Sequence, residues 1–442
     1  MSLKSENPSI IFLNHASFIF QINKIKILVD PYLYGSSFND GWNLLKETDH
    51  SEQIKDITHI FYSHEHPDHF SIPFLKKINS EMRKKITVLY QDTFDKRVKI
   101  FCENLGYKFK KFTDGVEEKI DKDLYICIGK VAFFDSWINF KFKNKNILNL
   151  NDCQLENPKS VFDIKKKLNR KFDILLTQFS YASFIENNKQ KQRALKQLQY
   201  IKLKDQILNP TYIVPFASFI YFSHLENKFM NKNINSVRDA HDFIVRNCKS
   251  KPIILEPNEI WNINDKNNEY SLKFWDNVYK DLNSLKYNSI KKHFGSNELI
   301  YNSKKYIERL KNLNNKFLIK FLYLLKFFPS IEIYVTDTNK YYNFNIINGL
   351  QEILENELKG EFISLSSDSL VFIFYYDYGF DTLIVNARLK CSDNYLTKVI
   401  KCFLIGSANN SGRYIKFSNF YKYLNKKLII KFIEVIYMKK SH

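Results

Sequence analysis

Three of the ten histidines in this 442-residue sequence fall within six positions: His64, His66 and His69, with Asp68 between the last two. Imidazole nitrogen and carboxylate oxygen are ordinary ligands for zinc, manganese and iron. The cluster follows a short β-rich run, Ile57 to Tyr62. In an extended segment alternate side chains point the same way, so His64 and His66 can converge on one cation. Pro67 then turns the chain and sets Asp68 and His69 beside a second cation. A pair of divalent cations is the chemistry this spacing points to. The bland alternative is a polar loop that happens to be rich in histidine.

The elements that must position this cluster are legible in outline. Residues 10 to 30 read as two strands, Ile10–Leu13 continued by Ser17–Ile22 and then Ile25–Val29, with a tight turn at Asn23-Lys24. Asp30-Pro31 ends the second, because proline cannot donate to a ladder. A helix is expected around Ile72 to Ile78, a strand at Thr87–Tyr90, and a helix near Asp95 to Leu105. Further strands are expected at Tyr125–Ile128, Trp137–Phe142, Asn146–Leu150, Ile174–Leu176 and Tyr212–Phe216, with a helix at Gln192–Leu203. This order suggests sheets covered by helices. Pro252 to Tyr270 turns polar, and the domain boundary is set there, giving domains 1–258 and 259–442. In the second, helices are expected at Leu272–Leu285, Ser303–Leu325 and Ile346–Leu358. Strands are expected at Ile331–Val335, Glu361–Leu365, Leu370–Tyr376 and Asp381–Val385, which makes a small α+β domain. The aromatic run Phe317 to Phe328 reads as a core helix, with a membrane-surface or acyl-chain contact as the alternative.

His64-Glu65-His66-Pro67-Asp68-His69 resembles the metal signature of the metallo-β-lactamase fold. Asn14-His15-Ala16-Ser17-Phe18 followed by Ile27 to Pro31 resembles the opening of the lactonase and N-acyl phospholipase D branch. Asp135-Ser136-Trp137, Asn149 to Cys153, Pro215-Phe216-Ala217 and His224 to Asn227 are similar to the lactamase-like part of CMP-N-acetylneuraminate hydroxylases. The resemblance covers about residues 8 to 250. It implies an α+β class, a four-layer αββα sandwich, with a smaller C-terminal α+β domain.

It also implies a ligand set. His64 and His66 would hold one metal, Asp68 and His69 the other, with Asp152 as bridging carboxylate and His224 as last histidine. Asp135 falls where most relatives place a third histidine, which would enrich the site in carboxylate and shift preference from zinc toward iron or manganese. His15 and Asp30 would orient ligands through hydrogen bonds. Asn14, Gln178, Tyr181 and Asn227 would face the substrate. The implied cofactors are two divalent metal ions, zinc first and iron or manganese next. Asp68 or Asp152 would orient a metal-activated water for hydrolysis of an ester, lactone, amide or phosphodiester. The alternative is a diiron oxygenase resembling the sialic acid hydroxylases. Their Rieske cluster needs paired Cys-x-His motifs, and this sequence has none, so an electron-donor protein would be required.

Composition narrows the remaining classes. The six cysteines form no C-x-x-C pair, which argues against a disulfide scaffold or a cysteine zinc site. Sixty-seven basic against 47 acidic residues give +20. Only nine of the bases are Arg, and Lys comes with abundant Asn, Ile, Tyr and Phe, so much of the charge reads as compositional bias. Without Arg forks or an aromatic stacking platform, nucleic-acid recognition is not expected. A small anionic substrate is the expected partner. The longest uncharged stretch, Gln206 to Leu225, contains Pro210 and Pro215, so no transmembrane segment is expected. A cytoplasmic protein is the simplest expectation.

Overall fold

The computed structural model describes residues 8–131, 135–263, 265 and 269–418. It divides into two compact units. The first comprises Met1–Ala182, Asn188–Ser223 and Met230–Tyr287; the second comprises Ser183–Asn187, His224–Phe229 and Asn288–His442.

The first unit holds two seven-stranded mixed sheets and a small three-stranded one, Ile220–Phe222, Trp42–Leu44 and Ser36–Ser37. In spatial order the first seven-stranded sheet runs Ile260–Asn262, Ser9–Asn14, Ser17–Ile22, Ile25–Val29, His59–Phe61, Thr87–Gln91 and Lys108–Phe112. The second runs Lys251–Pro252, Tyr212–Phe216, Ile174–Gln178, Lys145–Asn149, Ser136–Phe142, Leu124–Lys130 and Glu117–Asp121. Each of these two sheets pairs antiparallel hairpins on one side with parallel strands on the other.

Alternation explains the layering. Phe12, Phe18 and Phe20 share one strand face and meet Ile126, Ile138 and Phe140 of the other sheet in a single core. Phe20 stacks on Phe140 with centroids 4.6 Å apart. The opposite residues, Ile11, Leu13, Ile19 and Leu28, turn to a separate core with Phe74, Leu75, Val98 and Cys102 from the helices Ile72–Lys77 and Arg97–Asn104. The helix Pro158–Leu168 covers the second sheet through Val161, Ile164 and Leu168. The result is the expected αββα order.

Gly129 shows how closely the second sheet is packed. It pairs with Trp137 across the ladder, and a Cβ there would stand 1.9 Å from the indole Cζ2. Trp137 is 1% exposed and has no room to retreat. Gly129→Ala is expected to cost about 1–3 kcal/mol through overpacking. Urea unfolding of the single variant checks this, and an unchanged midpoint would contradict it.

The expected boundary at 258/259 falls inside the first unit. The helix Glu269–Lys280 places Leu272 and Trp275 in the inter-sheet core, and Trp275 Nε1 donates to Leu255 O at 2.9 Å.

The second unit carries a four-stranded sheet in the order Gly349–Ile353, Lys340–Asn345, Ile331–Val335, Ile363–Leu365. Four expectations for it are corrected. The helix expected at Ile346–Leu358 is instead a hairpin return: Asn345 Oδ1 accepts from Ile347 N and Asn348 N, and Gly349 takes φ 78°. Leu370–Tyr376 and Asp381–Val385, expected as strands, lie in the helices Ser367–Tyr375 and Gly379–Asn386. Their apolar runs carried no usable period, and the Ser366 cap on Ser369 N decides for helix. The helix expected at Ser303–Leu325 is two, Ser296–Leu313 and Lys316–Leu324, with Asn315 capping the second.

Candidate metal centre

The histidine cluster sits where parallel strands end. His59–Phe61 and Ile25–Val29 pair in parallel and release Ser63 to His69 and Asp30 at their carboxyl ends. Lys145–Asn149 and Ile174–Gln178 do the same in the second sheet, and release Asp152. In open α/β sheets the carboxyl ends of the strands are where ligands bind. The loops there are tightly turned. His15, Asp30, Asn151 and Ala217 all have left-handed backbones, with φ of 38°, 40°, 46° and 50°. Each such non-glycine residue costs on the order of 1 kcal/mol and persists only where its neighbours enforce it. Asn14 Oδ1 accepts from His15 N at 3.0 Å, and Asn149 Oδ1 accepts from Asn151 N at 3.0 Å. The turn after His66 closes through Phe70 N to His66 O at 2.7 Å, which brings Asp68 and His69 back toward His64.

Two groups of donors result: His64, His66 and Asp152, and His15, Asp68 and His69. His64 Nε2 lies 2.8 Å from His66 Nδ1 and 3.9 Å from Asp152 Oδ2. His69 Nε2 lies 3.3 Å from Asp68 Oδ2 and 3.6 Å from Asp152 Oδ1, so Asp152 reaches both groups. His15 Nε2 is 3.2 Å from Asp68 Oδ2. The outward nitrogens are fixed from behind. Asp30 Oδ2 is 3.0 Å from His69 Nδ1, and Ser63 Oγ is 2.9 Å from His64 Nδ1 while donating to Asp30 Oδ2 at 2.7 Å. Ser63 N also donates to Asp30 Oδ1 at 2.8 Å. His66 is exposed and Asp152 half-buried, so the site opens to solvent on that side.

Electrostatics follow from this crowding. Burial, with His69 next to it, pushes His64 well below the usual imidazole range. Burial also works against a charged His69, but Asp68, Asp152 and Asp30 outweigh it and hold its pKa well up. Asp68 and Asp152 are depressed despite burial, mainly by His69 and, for Asp152, also by His64. Asp135 is pushed well up by burial and then by Asp152. Burial raises Asp30 too, against the pull of His69 and Ser63.

The donor set fits a divalent cation. Asp68 Oδ1, Asp152 Oδ1, His69 Nε2 and His15 Nδ1 are buried with no hydrogen-bond partner. Left unsatisfied, each costs about 1–3 kcal/mol. Ligand atoms bonded to one cation at about 2.1 Å stand roughly 3–3.5 Å apart, and the His69 contacts to Asp68 and Asp152 are at 3.3 and 3.6 Å.

The other expected residues fall variously. His15, expected only to orient a ligand, has its own nitrogen inside a donor group. Asp135 belongs to neither group: its Oδ1 is 3.5 Å from His64 Nδ1 and accepts from Ser136 N at 2.8 Å, behind the ring. His224 and Asn227 lie in the second unit. There His224 Nδ1 is 3.3 Å from Glu226 Oε2, and Asn227 Nδ2 donates to Asn386 O at 2.7 Å. Asn14 Nδ2 donates to Lys46 O at 2.5 Å, Gln178 Oε1 accepts from Gln197 Nε2 at 2.9 Å, and Tyr181 OH donates to Met230 O at 2.5 Å. These three brace loops. Sequence reading missed Ser63, whose hydroxyl joins Asp30, His64 and His69; its place directly before the first histidine was the available signal. It also missed Lys204, buried against Thr177 Oγ1 at 2.8 Å, its pKa pushed down to about 8 by burial.

Residues 9–162 match the family model described as the Beta-lactamase superfamily domain. This segment is similar to that domain. The match holds every donor of the first unit and ends before His224. The four-layer sandwich around it is the metallo-β-lactamase fold. Among curated proteins, the lactamase-like part is similar to the cytidine monophosphate-N-acetylneuraminic acid hydroxylase of Xenopus laevis, 28% identical over 55% of this chain and 44% of that protein. The Homo sapiens protein described as an inactive form of that hydroxylase is 27% identical over 53% of this chain and 49% of its own. The chain thus spans less than half the length of these relatives. A solved mutant of CmlA beta-hydroxylase aligns over 58% of this chain and 54% of its own, at 14% identity and a TM-score of 0.42. Among the described residues, no helix is long and apolar enough to cross a membrane.

Proposed function

We propose that the protein is a metal-dependent hydrolase whose lactamase-like domain holds two divalent cations, one by His64 and His66, one by Asp68 and His69, with Asp152 shared. Zinc is the first candidate, iron or manganese the next. Bound there, such cations polarise a carbonyl or phosphoryl oxygen and bring water ionisation toward neutral pH. The chain's own groups do the rest. Asp68 and Asp152, the latter half-buried at the open side, orient the attacking water. His15 holds Asp68. Asp30 and Ser63 fix the ring nitrogens of His69 and His64 so that their Nε2 atoms face the site. The substrate class is an anionic ester, lactone, amide or phosphodiester.

The observation that carries this reading is the convergence of six histidine and aspartate donors around buried polar atoms that lack hydrogen-bond partners. Elemental analysis of the chain purified without added metal tests it. About two zinc or manganese per chain, with turnover of a lactone, ester or phosphodiester, is the expected result. Absence of metal after reconstitution would overturn it.

Oxygenation is the second reading. It is favoured by the relatives' names and by the third carboxylate, Asp135, beside His64. In that case the metal is two irons per chain, and oxygen uptake depends on an added electron-donor protein. Against it stands the position of Asp135 behind the His64 ring, where it orients the imidazole.

A further inference from the structure

The helix Lys316–Leu324 turns an apolar face outward. Leu318 and Ile319 are buried, at 7% and 2% exposure, while Phe317 is 80% exposed, Leu324 66% and Phe321 39%. At about 100° per residue these groups lie on opposite sides of the helix. Leu318 and Ile319 occupy the inner arc. Lys316, Lys320, Leu324, Phe317 and Phe321 follow one another around the outer one, so a lysine edge borders an apolar stripe. All five of these outer residues are exposed. Phe327, 36% exposed, and Leu313, 42%, extend the apolar patch at either end. Charge along this stretch is one-sided. From residue 309 to residue 331 the sequence has Arg309, Lys311, Lys316, Lys320 and Lys326, and no Asp or Glu.

A monomer's surface seldom presents large apolar groups side by side unless something covers them. Phenylalanine and leucine on one face with lysines along its border are what a helix needs to lie in the interface of an anionic bilayer. The rings enter the acyl boundary, and the ammonium groups stay at headgroup level, drawn by the surface potential. A protein partner would need acidic groups facing those lysines and a pocket for each ring; a lipid surface supplies both without a specific shape. The helix has nine residues, too few to span a bilayer, and so would lie flat.

We propose that the exposed face of the helix Lys316–Leu324 is a docking surface for an anionic lipid membrane, with Phe317 and Leu324 inserting and Lys316 and Lys320 contacting headgroups. The site is separate from the metal centre and does not depend on the hydrolase reading.

Co-sedimentation of the full chain with sucrose-loaded vesicles tests it. One set is pure phosphatidylcholine, the other three parts phosphatidylcholine to one part phosphatidylglycerol. Binding to the anionic set is expected to exceed that to the neutral set by about tenfold and to weaken with salt. Combining Phe317→Ser with Leu324→Ser is expected to weaken binding about tenfold or more, with the thermal midpoint unchanged because both side chains are already in water. Lys316→Gln with Lys320→Gln is expected to remove most of the preference for the anionic set, and serves if the first pair disturbs the fold. Equal binding to both vesicle sets, or no binding at all, would overturn the proposal. Binding that survives the Phe317 and Leu324 changes would also overturn it and point to another segment, such as the basic, apolar stretch from Leu424 to Lys440. Self-association lost in the same variant, without vesicle binding, would make the face a contact between two copies.

Discussion

A variant carrying His64→Ala and Asp152→Ala is expected to purify with its metal content cut by at least half and to lose hydrolysis by about a thousandfold or more, roughly 4 kcal/mol in the barrier. The two changes remove different things. His64 supplies a nitrogen whose own charge is suppressed by burial, so it is ready to bind a cation without first giving up a proton. Asp152 is the one carboxylate whose two oxygens face both donor groups, at 3.9 Å from His64 and 3.6 Å from His69. Losing it unlinks the pair. A metal-activated water has no substitute nucleophile in this site, so the effect on turnover should far exceed that on folding. Plasma-source elemental analysis and kcat/KM check the two parts separately. His293→Ala, a 65%-exposed histidine outside the lactamase-like domain, serves as control. Activity within tenfold of the parent would refute the assignment of these residues as ligands.

The second large effect is expected at a residue that is not in either donor group. Asp30→Ala should destabilise the metal-free protein by about 3–5 kcal/mol and lower metal affinity a further 10- to 100-fold. Asp30 is fully buried, and its carboxylate serves three partners: Ser63 N at 2.8 Å, Ser63 Oγ at 2.7 Å and His69 Nδ1 at 3.0 Å. Alanine leaves these groups in a dry site without an acceptor, and each costs about 1–3 kcal/mol. The affinity loss has a separate cause, because His69 is then free to rotate and no longer presents Nε2. Urea unfolding in chelator isolates the first part, and zinc titration against a competing chelator isolates the second. Asp30→Asn keeps an acceptor for Ser63 N and should fall between parent and alanine. A stability loss below about 1 kcal/mol for the alanine variant would show that water replaces the carboxylate.

Much of the site was legible because its ligands are close in sequence. His64, His66, Asp68 and His69 lie on one strand end and one turn, where period and proline placement already imply convergence. Asp152 was legible through the Asn149 to Cys153 segment. His15 was expected to orient a ligand, but which one was not legible: fifty-three residues separate it from Asp68, and only the pairing of Ser9–Asn14 with Ser17–Ile22 and the left-handed turn between them bring its Nε2 to 3.2 Å. Asp135 shows the converse. Its position in sequence suits a ligand, yet the ladder carrying Ser136 puts its carboxylate behind the His64 ring.

The same division runs through the fold. Alternating apolar residues in Ser9–Val29 and Leu124–Asn149 give each strand two faces and suggest sheets covered by helices, while the two-sheet order was implied by the resemblance. In the second unit the apolar runs Leu370–Tyr376 and Asp381–Val385 carry no period, so local pattern left helix and strand equal. Burial around Tyr306, Phe344, Phe374 and Phe403 then decided the packing. By itself, the sequence determined the chemistry of the donors and the strand that ends at them, because each rests on contacts between neighbours in the chain; the αββα layering was implied by the resemblance of the histidine signature. Only the tertiary structure decided which distant residues join the donors, where the first unit ends, and that Phe317 and Leu324 face outward. Each of those depends on surface removed from water by partners that no local period encodes.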